Sequence, residues 1–108
     1  MIAYEDFKKV EMKIGTVKEA ERVPDTDKLI KLTVDVGEED LRTIVSGIAE
    51  YYPEPEALVG KQFPFVTNLE PRKLRGVESQ GMIMAVAGEH GLAMFSPDKQ
   101  VEPGSTIS

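Results

Sequence analysis

Between Asn68 and Val86 the chain reads NLEPRKLRGVESQGMIMAV, which gathers Arg72, Lys73 and Arg75 between Pro71 and Gly76. The chemistry these residue types support is anion recognition. Arg forks two hydrogen bonds onto a phosphate, whereas Lys supplies a mobile point charge. Pro71 limits the backbone and projects Arg72 and Lys73 outward, and Gly76 permits a turn that a side chain would obstruct. Asn68 and Ser79, near the two ends of the loop, carry groups that can donate to phosphate or sugar oxygens. Both residue types also bond their own backbone in turns. Met82 offers an apolar surface to a base or a ribose, or else fills the core.

Catalytic chemistry finds less support. Asp25 and Asp27 are paired in DTD, but two acids in a turn serve as caps or solvated charge, and no His or further acid stands at ligand spacing beside them. His90 is the only His and lies in a loop sequence between Glu89 and Gly91. Ser46 in VSG lacks the G-x-S-x-G frame, and GVESQG lacks the Lys-Ser/Thr pair of a phosphate loop. Cys is absent, which removes disulfides, thiolate metal ligands and Cys nucleophiles. The expectation is a non-enzyme with no metal and no cofactor.

The whole chain is acidic. Thirteen Lys and Arg against nineteen Asp and Glu give a net charge of −6. A polyanion must therefore meet a local patch, because the protein as a whole repels it. At 108 residues, with 41% hydrophobic and 30% charged, the composition fits one globular domain over 1–108. No window approaches a membrane span and the start carries no apolar signal region, so no membrane association and a cytoplasmic location are expected.

The elements that position the cations read as strands. Tyr4 to Lys9 makes at best a short leading helix. From Val10 the pattern alternates through Met12 and Ile14, then changes phase after Gly15, which predicts a bulge there in a long bent strand. Pro24 to Asp27 is a turn. Ile30, Leu32, Val34 and Val36 alternate with Lys31, Thr33 and Asp35, a half-buried strand that a hairpin at Glu38–Asp40 joins to Leu41–Ile48. A short helical connection is expected near Pro55–Val59, then a strand in KQFPFVTNL whose Pro64 argues for an edge or a bulge. The cationic loop follows, and GMIMAV supplies a fifth strand. The expected fold is all-β: a five-stranded Greek-key barrel of the oligonucleotide-binding (OB) type, core about 10–88, with a C-terminal extension about 89–108. Strand count alone also admits an SH3-like barrel; the helix between the third and fourth strands favours the first.

On this frame, ligands lie on strands two and three and on the loops joining strands one to two and four to five. Arg22 and Lys28 fall on the first loop, Lys31 and Arg42 on the strands, and Arg72, Lys73 and Arg75 on the second loop. Arg22, among Glu19, Glu21 and Asp25, ranks below the others as a ligand-binding residue.

These residues carry a resemblance. NLEPRKLRGVESQGMI, with VPDTDKLIKLTVDVG and RTIVSGIAEYY before it and SPDKQVEPGSTIS after it, resembles the tRNA-binding domain family, found free-standing, in methionyl-tRNA synthetases as a β-subunit or C-terminal extension, and in EMAP-II-like cytokine precursors. The resemblance implies the same barrel and a tRNA ligand held by shape. Carried onto this chain, it implies a face of Lys28, Lys31, Arg42, Ser46, Asn68, Arg72, Lys73, Arg75, Ser79 and Met82. Glu70 stands where the pattern commonly has Lys, and it weakens the field of the loop. The partners implied are tRNA, a second copy of the chain and the methionyl-tRNA synthetase catalytic subunit, with the chain an accessory to aminoacylation. The alternative is a dimeric peptide-binding secretion chaperone on the same fold. A dimer is also expected from Leu92, Met94, Phe95 and Val101, which add apolar surface beyond five strands.

Overall fold

Apolar side chains at every second position make β2, Ile30–Asp35, the most regularly patterned strand of the computed structural model, which describes residues 1–108. Ile30, Leu32 and Val34 are fully buried, and Val36 continues their face. β1, Met12–Arg22, pairs antiparallel with β2, and β3, Arg42–Ser46, lies on the other side of β2. A short helix α1, Tyr4–Lys8, precedes β1.

The expected bulge exists, but not at Gly15. Val17 faces Val34 and Glu19 faces Thr33, which leaves Lys18 as the extra residue. Ile14 through Val17 are all buried, so the phase break marks a stretch of β1 covered on both faces. Gly15 serves close packing there: an added Cβ would stand 2.6 Å from Val34 Cγ1 and 2.9 Å from the Phe65 ring.

After β3 the connection is two 3₁₀ turns, Ala49–Tyr51 and Pro55–Leu58, the second begun by a proline and ending on a buried Leu58. The helical segment falls where the sequence places it and is tighter than an α-helix. β4, Gln62–Val66, is buried along its whole length. It is not an edge strand, since β1 flanks it on one side and the short strand Met82–Ile83 on the other. The signal of Pro64 is local. The Met84 amide donates to the Pro64 carbonyl at 3.0 Å, Pro64 has no N–H to return, and pairing with Met82–Ile83 is limited to Phe65–Ile83 and Val66–Met82.

Two elements differ from the sequence reading. The cationic loop is a β-hairpin, β5, Arg72–Leu74, against β6, Val77–Ser79. The expected fifth strand divides: β7, Met82–Ile83, stays in the main sheet, while β8, Ala85–Gly88, turns away to pair with β9, Gly91–Met94.

The main sheet runs in the order β3-β2-β1-β4-β7. Its ends meet at β3 through a mixed seam. The Gln80 amide donates to Thr43 O at 2.7 Å, the Thr43 amide to Gln80 Oε1 at 2.9 Å, and the Val45 amide to Ser79 Oγ at 2.9 Å. Two side chains thus stand in for ladder carbonyls and nearly close a barrel of OB type. Its core is the β2 face with Val17, Ile44, Leu58, Phe63, Phe65 and Ile83.

The tail returns to its own barrel. The Ile14 amide donates to Ser105 O at 2.9 Å, the Gly104 amide to Ile14 O at 2.7 Å, and the Ile107 amide to Met12 O at 2.9 Å. Gln62 holds Val101 from both sides, donating to its carbonyl at 2.7 Å and accepting from its amide at 3.0 Å. Leu92 and Met94 pack against the core. Of the four apolar residues expected to need a second copy, only Phe95 remains largely exposed.

Candidate nucleic-acid interface

The β5–β6 hairpin owes its shape to its turn. Arg75 and Gly76 take φ of 52° and 82°, the two positive values of a two-residue type I′ turn. A Cβ at Gly76 would touch nothing within 4 Å, so the backbone conformation alone requires glycine. Opposite the hairpin lies the β1–β2 loop, where Asp25 also has a positive φ of 62° and Thr26 Oγ1 donates to Val23 O at 2.8 Å.

Two adjoining cavities open between these loops. The larger, about 530 Å³, is lined by Thr26, Asp27, Lys28, Lys73 and Arg75 together with Leu29 and Leu74. The smaller, about 280 Å³, shares Leu29 and Leu74 with it and reaches Ser46, Arg72 and Met82. The first is cationic, and the second is partly apolar.

Seven of the ten sequence-predicted residues meet around these cavities: Lys28, Ser46, Arg72, Lys73, Arg75, Ser79 and Met82. No carboxylate lies within 4.0 Å of the charged nitrogens of Lys28, Arg72, Lys73 or Arg75; the ion pairs of the chain are Lys9–Asp6, Lys13–Glu11, Lys31–Glu21 and Arg42–Glu38. Their charge is therefore free to meet a ligand.

Four of the ten are occupied by the protein itself: Ser79, within the cavity wall, and Asn68, Lys31 and Arg42, away from it. Ser79 is buried in the wall of the smaller cavity, where its hydroxyl accepts from Val45 and donates to Gly81 O at 3.2 Å. Asn68 accepts from the Glu11 amide at 2.8 Å and donates to Lys9 O at 2.6 Å, fastening the segment after α1 to the end of β4. Lys31 pairs with Glu21 at 2.9 Å. Arg42 forks onto Glu38, Nε to Oε1 at 2.8 Å and Nη2 to Oε2 at 2.6 Å, while its Nη1 donates to the carbonyls of Thr67 and Gln80. Arg22, which the sequence ranks low, donates to Ala49 O at 3.4 Å.

These interactions shift two carboxyls and one guanidinium. The bond from Arg42 holds Glu38 below the usual carboxylate range, and the same bond raises Arg42. The Thr67 hydroxyl, donating at 2.9 Å, and the charge of Lys13 lower Glu11. No group of three or more His, Asp or Glu side chains is placed to hold a metal ion, and no helix is long and apolar enough to cross a membrane.

Sequence reasoning missed Leu29, Leu69 and Leu74 as cavity walls and passed over the seam made by Gln80. Leu74 between Lys73 and Arg75, and Leu29 next to Lys28, were the available signal.

Comparison with known proteins agrees with this geometry. Residues 12–106 match the family described as "Putative tRNA binding domain". The chain is 50% identical over 107 residues to a methionine–tRNA ligase of Caldanaerobacter subterraneus and 52% identical to one of Helicobacter pylori. In each case 99% of the chain is covered, but it spans only 16% of the relative's length. Among solved structures, a protein related to methionyl-tRNA synthetase from Pyrococcus horikoshii superposes with a TM-score of 0.91 at 45% identity, covering 100% of this chain and 98% of that one. The chaperone CsaA of Bacillus anthracis gives 0.87 at 30% identity, covering 100% and 99%. By the family match across nearly its whole length and by these relatives, the chain belongs to the tRNA-binding domain family.

Proposed function

We propose that the chain is a non-catalytic module that binds folded tRNA in the cleft between the β1–β2 loop and the β5–β6 hairpin and serves aminoacylation by a methionyl-tRNA synthetase. One observation carries the reading: Lys28, Arg72, Lys73 and Arg75, from two separate elements, border one cleft with no carboxylate partner, on a protein of net charge −6. An acidic body with one cationic cleft admits a polyanion in a restricted orientation. Backbone and ribose contacts suffice to recognise RNA shape, since the deep groove of an RNA helix hides its base edges. The synthetase link comes from the names of the relatives, in which a domain like this one is a small part of the enzyme. Held beside the catalytic unit, such a module raises the local concentration of tRNA.

The test is competition in a gel shift. Folded tRNA displaces a labelled tRNA better than an unstructured RNA of equal length; equal competition reduces the cleft to a generic anion patch, and salt-insensitive binding of unfolded peptides supports the chaperone reading instead. A two-fold dimer belongs to the same proposal, supported by exposed Tyr51, Val86 and Phe95. Light scattering then reads twice 11.9 kDa, and a mass of 11.9 kDa refutes it.

A further inference from the structure

We propose that the smaller cavity takes one unpaired guanine of the bound RNA, with Glu70 reading its Watson–Crick edge. This rests on the tRNA-binding reading and adds a base-specific interaction to it. The cavity is walled by Leu29, Val45, Leu69, Leu74 and Met82, of which Leu69 and Met82 are 48% and 49% exposed. Apolar side chains left open beside free cations give a surface on which a planar base can lie, with its phosphate outside. The cavity shares Leu29 and Leu74 with the cationic one, so a strand whose phosphates follow Lys28, Lys73 and Arg75 passes its mouth, where Arg72 stands. At about 280 Å³ it has room for a single nucleotide and not for a helix.

Glu70 supplies the selectivity. It lines this cavity, and no Lys or Arg nitrogen lies within 4.0 Å of its carboxylate although Arg72 is two residues away. A carboxylate in a phosphate-binding cleft repels the backbone but accepts from donors. Guanine alone presents two adjacent donors on its Watson–Crick edge, N1–H and the 2-amino group, which match the two oxygens of a carboxylate. Adenine and cytosine each set a ring-nitrogen lone pair against it, and uracil flanks its single N–H with two carbonyls. Ser46 in the same wall makes no side-chain hydrogen bond within the protein, and its hydroxyl is free for the O6 or ribose side.

The probe is a fixed RNA stem carrying one bulged nucleotide, G, inosine, A, C or U, titrated with the full chain. The expected result is that G binds about tenfold tighter than A, the discrimination of one bidentate base pairing, with inosine between them because it lacks the 2-amino group. Glu70→Ala and Glu70→Gln each abolish the preference for G, and circular dichroism checks that both remain folded. Equal affinity for all five bulges, or a preference for G that survives in Glu70→Ala, overturns the base pocket while leaving the phosphate cleft standing. Failure to bind any of the stems overturns both.

Discussion

Arg42 shows how a cation can matter to RNA binding without touching RNA. Its guanidinium joins Glu38, the end of β4 at Thr67 and the approach to β7 at Gln80, so it braces the segment from which the β5–β6 hairpin projects. Arg42→Ala leaves the Thr67 carbonyl short of a donor and lowers stability by about 1–3 kcal/mol, read as a lower urea midpoint. Its affinity for tRNA falls while the slope of log affinity against log salt stays that of the parent, because every phosphate keeps its cation; a shallower slope makes Arg42 a direct phosphate ligand after all. Glu38 and Glu11 add a pH dependence. Both carboxyls lie below their ordinary value in the folded chain, so their stabilisation is complete above the unfolded value and is lost as pH falls through the lowered folded one. Melting followed from about pH 6 to about pH 3, a range that brackets the ordinary carboxylate value, therefore shows a loss of stability at the acid end that Glu38→Gln reduces. An unchanged acid limb in that variant removes Glu38 from the account.

At the scale of elements, the hairpin and β1 make contrasting demands on glycine. Gly76 needs only its positive φ, so Gly76→Ala costs about 1 kcal/mol and disturbs the hairpin while leaving the barrel folded. Gly15 needs space, and Gly15→Ala overpacks Val34 and Phe65 at a cost of about 1–3 kcal/mol in the core. Thermal melting separates them, since Gly15→Ala lowers Tm by more than Gly76→Ala does; the reverse order contradicts the packing described for β1. The alternation of β2 and the proline at the start of the second 3₁₀ turn were legible because each acts within a few residues. The bulge at Lys18, the sheet position of β4 and the division of the fifth strand were not, because each depends on a partner strand far away in sequence. Among the predicted ligand residues, free cations could not be told from paired ones by residue type: Lys31 and Arg42 look as available as Arg72 until Glu21 and Glu38 are seen beside them.

For the whole molecule, net acidity and a cationic cleft make opposite contributions to meeting a polyanion, and salt resolves them. Replacing Arg72, Lys73 and Arg75 together with Ala leaves the melting curve nearly unchanged, because exposed cations outside ion pairs contribute little to stability. The same variant binds tRNA more weakly and with a shallower salt slope, by about one unit for each phosphate that no longer meets a cation. Parent-like binding at every salt concentration would place the site elsewhere. The most direct measurement is the affinity of the unaltered chain for a purified tRNA across a salt series. With about 3–6 phosphates neutralised per chain, log affinity falls against log salt with a slope of about −2 to −5. A flat response would contradict the account, because it would mean that the cations of the cleft do not meet phosphate.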